Sequence, residues 1–81
     1  MIITLTDFGQ TEYLGVMKGV ILSINEKARI FDLYNDVERQ NIIHGAWILY
    51  NDYSYFPKGS TFLCVVDPGV GSSRKAIAVQ T

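Results

Sequence analysis

Ile2-Ile3-Thr4-Leu5-Thr6-Asp7-Phe8-Gly9 and Thr61-Phe62-Leu63-Cys64-Val65-Val66-Asp67-Pro68-Gly69-Val70-Gly71 share one plan. Each is a short β-branched and apolar run that stops at an aspartate and a glycine-containing turn, the pattern of a buried strand followed by a loop. Each puts a carboxylate just past the carboxyl end of a strand. In an open α/β sheet that edge is where ligands bind, because loops there vary without disturbing the strands behind them.

The chain between these segments supplies the rest of the architecture. From about Thr11 to Ile24, Leu14, Met17, Val20, Ile21 and Ile24 recur at helical spacing and predict an amphipathic helix with Thr11 or Gln10 near its cap. Gly15 and Gly19 on that helix suggest close packing on a sheet rather than membrane dimerisation, since Glu12 and Lys18 lie in the same segment. Arg29 to Leu33 reads as a second strand. Asp36 or Asn41 is placed to cap a second helix whose apolar face would include Ile42, Ile43, Ala46, Trp47, Leu49 and Tyr50, ending before the breaker cluster Pro57-Lys58-Gly59. A last strand runs from about Lys75 to Gln80. The order β-α-β-α-β-loop-β predicts an α/β fold, a mainly parallel sheet with helices on its faces and right-handed crossovers. The connection between the last two strands is too short for a parallel crossover, so that pair is expected to be antiparallel. Without a helix after Gln80, one apolar face or edge of the sheet is expected to be uncovered.

At 81 residues, 48% hydrophobic and 19% charged, the sequence suits one small globular unit and excludes a low-complexity chain. A net charge of −1 and scattered basic residues give no electrostatic footprint for nucleic acid. The single cysteine, Cys64, sits in an apolar strand, which excludes an internal disulfide and a cysteine zinc site and reads as a core thiol. No apolar stretch approaches the roughly 18 to 20 residues that span a bilayer, and no basic region precedes an apolar run, so no membrane partner is expected and the protein reads as cytoplasmic.

Candidate chemistry sits in the two loops. Gly69 and Gly71 suggest a phosphate cradle, but Arg74 stands where a dinucleotide fingerprint has its third glycine and a strand follows where a helix should open. What the loop offers is an acid and a guanidinium seven residues apart. Asp67 and Arg74 form either a loop-stapling salt bridge or a pair that fixes a water, the carboxylate accepting its proton and the guanidinium stabilising developing hydroxide. Asp7 is either the head of an Asx turn or a carboxylate that accepts two hydrogen bonds from a ribose diol. His44 has no second metal ligand at helical spacing and receives no role. Trp47, Tyr50, Tyr53, Tyr55 and Phe56 resemble a stacking platform, but their helical position favours core or subunit packing.

With these residues in place, the chain resembles the amino-terminal part of the S-adenosylmethionine (SAM) hydrolases, or SAM hydroxide adenosyltransferases, relatives of fluorinase and chlorinase. The resemblance rests on Ile3-Thr4-Leu5-Thr6-Asp7-Phe8-Gly9, Met17-Lys18-Gly19-Val20-Ile21, Phe31-Asp32-Leu33, Phe56-Pro57-Lys58-Gly59 and Val65-Val66-Asp67-Pro68-Gly69-Val70-Gly71 with Arg74, in family order over essentially the whole chain. It implies hydrolysis of SAM to adenosine and L-methionine by water or hydroxide attack at the ribose 5′ carbon, with SAM as substrate, no cofactor and no metal. It further implies that Asp7 holds the ribose hydroxyls, that Glu12 faces the methionine amino group, and that Asp67 and Arg74 belong to an Asp-Arg-His group orienting the water. An acid at position 67, absent from fluorinase-like relatives, implies water rather than halide as nucleophile. Two departures stand out: Gln10-Thr11-Glu12-Tyr13 is slightly shorter than the usual loop, and Asn35 replaces a histidine common after the second strand. Residues 1–81 are expected to be a single partial amino-terminal α/β domain lacking the family's catalytic histidine and carboxy-terminal β-rich domain. By the same resemblance the full-length form is a homotrimer that binds substrate between subunits. A non-catalytic adenosine-binding or assembly module built on the same fold is the alternative.

Overall fold

The computed structural model describes residues 1–39, 41–66 and 75–81. Its elements are β1 (Ile2–Thr6), α1 (Tyr13–Ile24), β2 (Ile30–Tyr34), α2 (Ile42–Asp52), a single 3-10 turn (Tyr53–Tyr55), β3 (Thr61–Val66) and β4 (Lys75–Gln80). The four strands form one sheet in the order β2-β1-β3-β4. β1 runs parallel to both neighbours, and β4 is antiparallel to β3, as the short connection requires.

Strand order explains why β1 matters most. The chain leaves β1 for β2 on one side and then crosses over β1 to reach β3 on the other, so its direction of travel reverses between β1 and β3. That reversal is a topological switch point, and it opens a crevice at the carboxyl ends of those two strands. Ile3 and Leu5 of β1 pair with Phe62 and Cys64 of β3 and share one sheet face; Thr4 and Thr6 lie on the other. The core follows from this alternation. Leu5, Val37, Ile48 and Val66 form a buried cluster with Leu33, Leu49 and Cys64 packed around it, and Phe62 is fully buried with Phe56 edge-on at 5.6 Å.

α2 covers that face with only part of the stripe expected. Gly45 and Ile48 are its buried residues, whereas Ile43, Trp47 and Tyr50 are 81%, 64% and 79% exposed. Ile42 and Ala46 are exposed too but line the apolar groove against the sheet, and Leu49 packs on the buried cluster. The reason is spatial: at Gly45 a Cβ would already meet Val66 Cγ2 at 3.4 Å, so the helix approaches the sheet along its smallest residue. Tyr53 and Tyr55 are also exposed, and Phe56 packs edge-on against the core residue Phe62. Asn41, not Asp36, caps α2, its side chain accepting the His44 N–H at 2.9 Å.

α1 begins at Tyr13, two residues later than its periodicity suggests, and the Thr11 hydroxyl accepts the Tyr13 N–H at 3.3 Å. The helix lies over the sheet face that carries Thr4 and Asp32, to which Lys18 reaches, yet none of its residues is fully buried. The close-packing role expected of Gly15 and Gly19 is not realised: among the described residues, a Cβ at either position would meet no atom within 4 Å. Among the described residues, part of the apolar sheet face is open as a groove. This groove, of about 200 Å³, lies between α2 and β4, lined by Leu5, Leu49, Cys64, Val66, Ile77 and Val79 among others. Cys64 is therefore half-buried at a groove wall rather than sealed in the core.

The inward face of α2 is open to test. Ile48→Ala is expected to destabilise the chain by about 2–4 kcal/mol in urea unfolding, as cavity-forming substitutions do. Trp47→Ala is expected to stay within about 0.5 kcal/mol, as for an exposed position. The reverse order would place the aromatic stripe inside.

Candidate functional site

Asp7 follows β1 directly and is buried, 7% exposed. Its N–H donates to the Val65 carbonyl at 3.2 Å, extending the β1–β3 pairing by one residue and holding Asp7 beside the end of β3 at the switch point. The residues around it are fixed by the segment after β2 and by Thr6 itself. The Val37 N–H donates to the Thr6 carbonyl at 3.0 Å, the Phe8 N–H to the Thr6 hydroxyl at 3.2 Å, and the Gly9 N–H to the Asn35 carbonyl at 2.7 Å. Gly9 has φ +62°, in the left-handed region that a side chain disfavours by roughly 1–2 kcal/mol, so the Asp7-Phe8-Gly9 turn depends on that glycine.

Below the loop runs a polar network that sequence reasoning did not foresee. The Thr6 hydroxyl donates to Asn35 Oδ1 at 3.0 Å, and the Thr4 hydroxyl lies 2.8 Å from Asp32 Oδ1 and 3.3 Å from Asn35 Oδ1. With one hydrogen to give, Thr4 serves the nearer carboxylate first. Lys18 Nζ, reaching from α1, is 2.9 Å from each Asp32 oxygen. Burial would raise the Asp32 carboxyl, but the Lys18 hydrogen bond, the Thr4 hydroxyl, the Lys18 charge and the Asn35 amide together outweigh it and hold the carboxyl below its ordinary value. One signal for this network was present in the sequence: Thr4 and Thr6 alternate with Ile3 and Leu5 in a central strand, so their hydroxyls had to find acceptors.

The other candidates are placed as follows. Glu12 is exposed and occupies the N-cap position of α1, where its carbonyl accepts the Val16 N–H at 3.0 Å and its side chain makes no capping bond. The ring of Phe8 meets that of Tyr13 edge-on at 6.0 Å, which draws the Asp7 loop toward the start of α1 beside Glu12. Asp67 and Arg74 lie outside the described residues. His44, given no role from sequence, braces the β2–α2 connection: its Nδ1 accepts the Glu38 N–H at 2.9 Å and its ring meets Tyr34 edge-on. Burial pushes the Cys64 thiol above its ordinary value, which suits a packing residue rather than a nucleophile.

This is a doubly wound α/β unit with a buried acid at its switch point, the arrangement such folds use to bind small molecules. Residues 2–81 match the SAM hydroxide adenosyltransferase N-terminal domain, and the chain belongs to that family. It is 48% identical, over 99% of its length, to the (R)-S-adenosyl-L-methionine hydrolase of Methanocaldococcus jannaschii, and 36% identical over 91% to that of Thermus thermophilus. A fluorinase from Actinopolyspora mzabensis is 26% identical over 94% of the chain. Among solved structures, an uncharacterized conserved protein from Thermotoga maritima superposes with a TM-score of 0.82 at 46% identity, covering 93% of this chain and 30% of its own. The chain covers 32% and 29% of the two hydrolases, so it spans about a third of the length of the curated relatives it matches.

The depressed Asp32 value has a pH consequence. Because the folded carboxyl binds its proton less readily than the unfolded one, near 3.8, its stabilisation is complete above that value and is lost as pH falls through the lower folded one. The urea midpoint is therefore expected to fall less steeply below about pH 4 in Asp32→Asn than in the parent. The partly exposed Lys18 pair keeps the effect under about 1 kcal/mol, so equal slopes across that window would remove Asp32 from the acid response.

Proposed function

We propose that this chain contributes the nucleoside-facing part of a SAM hydrolase site, in which water displaces methionine from the ribose 5′ carbon and releases adenosine. The observation that carries the reading is the seating of Asp7: a buried acid at the switch point, locked by its own N–H to the strand that leads into Asp67. The names of the hydrolase relatives and the family match support the same substrate.

In this reading the Asp7 carboxylate accepts hydrogen bonds from the 2′ and 3′ hydroxyls, which orients the ribose and presents C5′ to the loop that follows β3. Asp67 takes a proton from the attacking water, and Arg74 stabilises the hydroxide character that develops. As the C5′–O bond forms the C5′–S bond breaks, and the sulfonium electron pair returns to sulfur as a neutral thioether. Opposite charges cancel along this path, so a site that excludes water favours the transition state over the separated ions. Glu12, at the mouth of the same edge, is the partner for the methionine ammonium. The rest of the site, including a histidine to complete the Asp-Arg pair, comes from sequence beyond these residues, in a cytoplasmic homotrimer whose neighbouring subunit closes over the substrate. No cofactor enters the reaction.

Chromatography of adenosine and methionine released from SAM, using the longest natural form of the protein, tests the roles separately. Asp67→Asn is expected to lower kcat by about 10²-fold or more with little change in KM, because the acid acts on the nucleophile. Asp7→Ala is expected to raise KM by about tenfold or more, as loss of charged hydrogen bonds does. Parent turnover in Asp67→Asn would end the water-activating assignment.

A further inference from the structure

We propose that Asn35 is the positioning residue for Asp7 and thereby sets how strictly the site demands an intact ribose diol. The inference rests on the reading of Asp7 as the ribose-binding acid. Asn35 follows β2 and is half-buried on the far side of β1 from β3. It holds the residues on both sides of Asp7. Its carbonyl takes the Gly9 N–H at 2.7 Å, and its Oδ1 takes the Thr6 hydroxyl at 3.0 Å.

The second bond controls a third. Thr6 is fully buried, so its hydroxyl hydrogen needs an acceptor within the protein. Pointed at Asn35 Oδ1, the hydroxyl turns a lone pair toward the Phe8 N–H at 3.2 Å. If the amide is removed, the hydroxyl has to rotate toward another acceptor and its bond from the Phe8 N–H is disturbed. Residues 6, 8 and 9 are thus all tied, directly or through Thr6, to one side chain and one carbonyl of Asn35. A carboxylate that must meet two hydroxyls at once tolerates a displacement of only about 0.5 Å.

The chemistry asks for a short side chain with an acceptor at this position. Glutamine moves that acceptor by one methylene, alanine deletes it, and aspartate keeps it only by setting a second carboxylate against Asp32. Removing the amide leaves the Thr4 hydroxyl on Asp32 Oδ1 at 2.8 Å but also takes a hydrogen bond from Asp32, so Thr6→Val, which keeps Asn35 in place, is the variant that confines the change to the Asp7 loop.

The test is the ratio of dissociation constants for adenosine against 2′-deoxyadenosine and 3′-deoxyadenosine, measured by calorimetry on the longest natural form of the protein. The parent is expected to favour adenosine by about tenfold or more, and Asn35→Ala to lose at least about fivefold of that preference. Thr6→Val, which keeps the side-chain volume and removes the relay, is expected to lose the preference as Asn35→Ala does. A uniform loss of stability would weaken all three nucleosides alike and leave the ratio unchanged. Should Asp7→Ala abolish the preference while Asn35→Ala and Thr6→Val preserve it, the positioning role is overturned and the ribose role of Asp7 stands. Should the parent show no preference, or Asp7→Ala keep it, both fall.

Discussion

Two hydroxyls with nowhere to meet water organise this molecule. Thr4 and Thr6 are fully buried in the central strand, and a buried hydroxyl left unpaired costs on the order of 1–3 kcal/mol. Their partners, Asp32 and Asn35, come from β2 and the residue just after it. The register of β2 accommodates this demand: Thr4 pairs with Asp32 but Leu5 with Tyr34, so one extra residue is taken up between them. That irregularity advances the end of β2 by one position and brings Asn35 level with Thr6. The same adjustment places the Asn35 carbonyl against Gly9 and the Val37 N–H against Thr6, so the demand for buried acceptors and the shape of the Asp7 loop have one solution.

From this constraint the layers of the fold take separate roles. One face of the sheet is apolar and supports α2 through Leu5, Val37, Ile48 and Val66. The opposite face carries the polar network, and α1 is joined to it through Lys18 and Asp32 rather than through a buried apolar stripe. Between them the carboxyl ends of β1 and β3 lie side by side, where peptide hydrogen bonds of 2.7–3.2 Å hold an acid in place without a large core beneath it. A small unit achieves precision there because the loop is clamped from both neighbouring strands.

How much of this was legible in the sequence depends on what kind of signal each part leaves. Strands announce themselves when β-branched runs stop at Asp7 or Val66-Asp67, and the short final connection settles the antiparallel pair, so element order and sheet type could be read directly. The faces of the helices could not. α2 is apolar nearly all round, so periodicity singles out no side, and the choice falls to shape: Gly45 lets the backbone approach Val66 while Trp47 and Tyr50 stand on the exposed side. In α1 the paired glycines carried a pattern of close packing, yet the helix meets the sheet through a lysine. At the site, Asp7 was visible because a strand end positions it. Asn35 registered only as a departure from a resemblance, since its role depends on a shift in strand register that local sequence does not encode.

Mass spectrometry of the adenosine formed from SAM in heavy-oxygen water, with the longest natural form of the protein as catalyst, is the most direct measurement. Attack by water at C5′ places one heavy oxygen in the 5′ hydroxyl of adenosine and leaves methionine unlabelled. Adenosine without the heavy oxygen, or no release of adenosine and methionine at all, would contradict hydrolysis at that carbon.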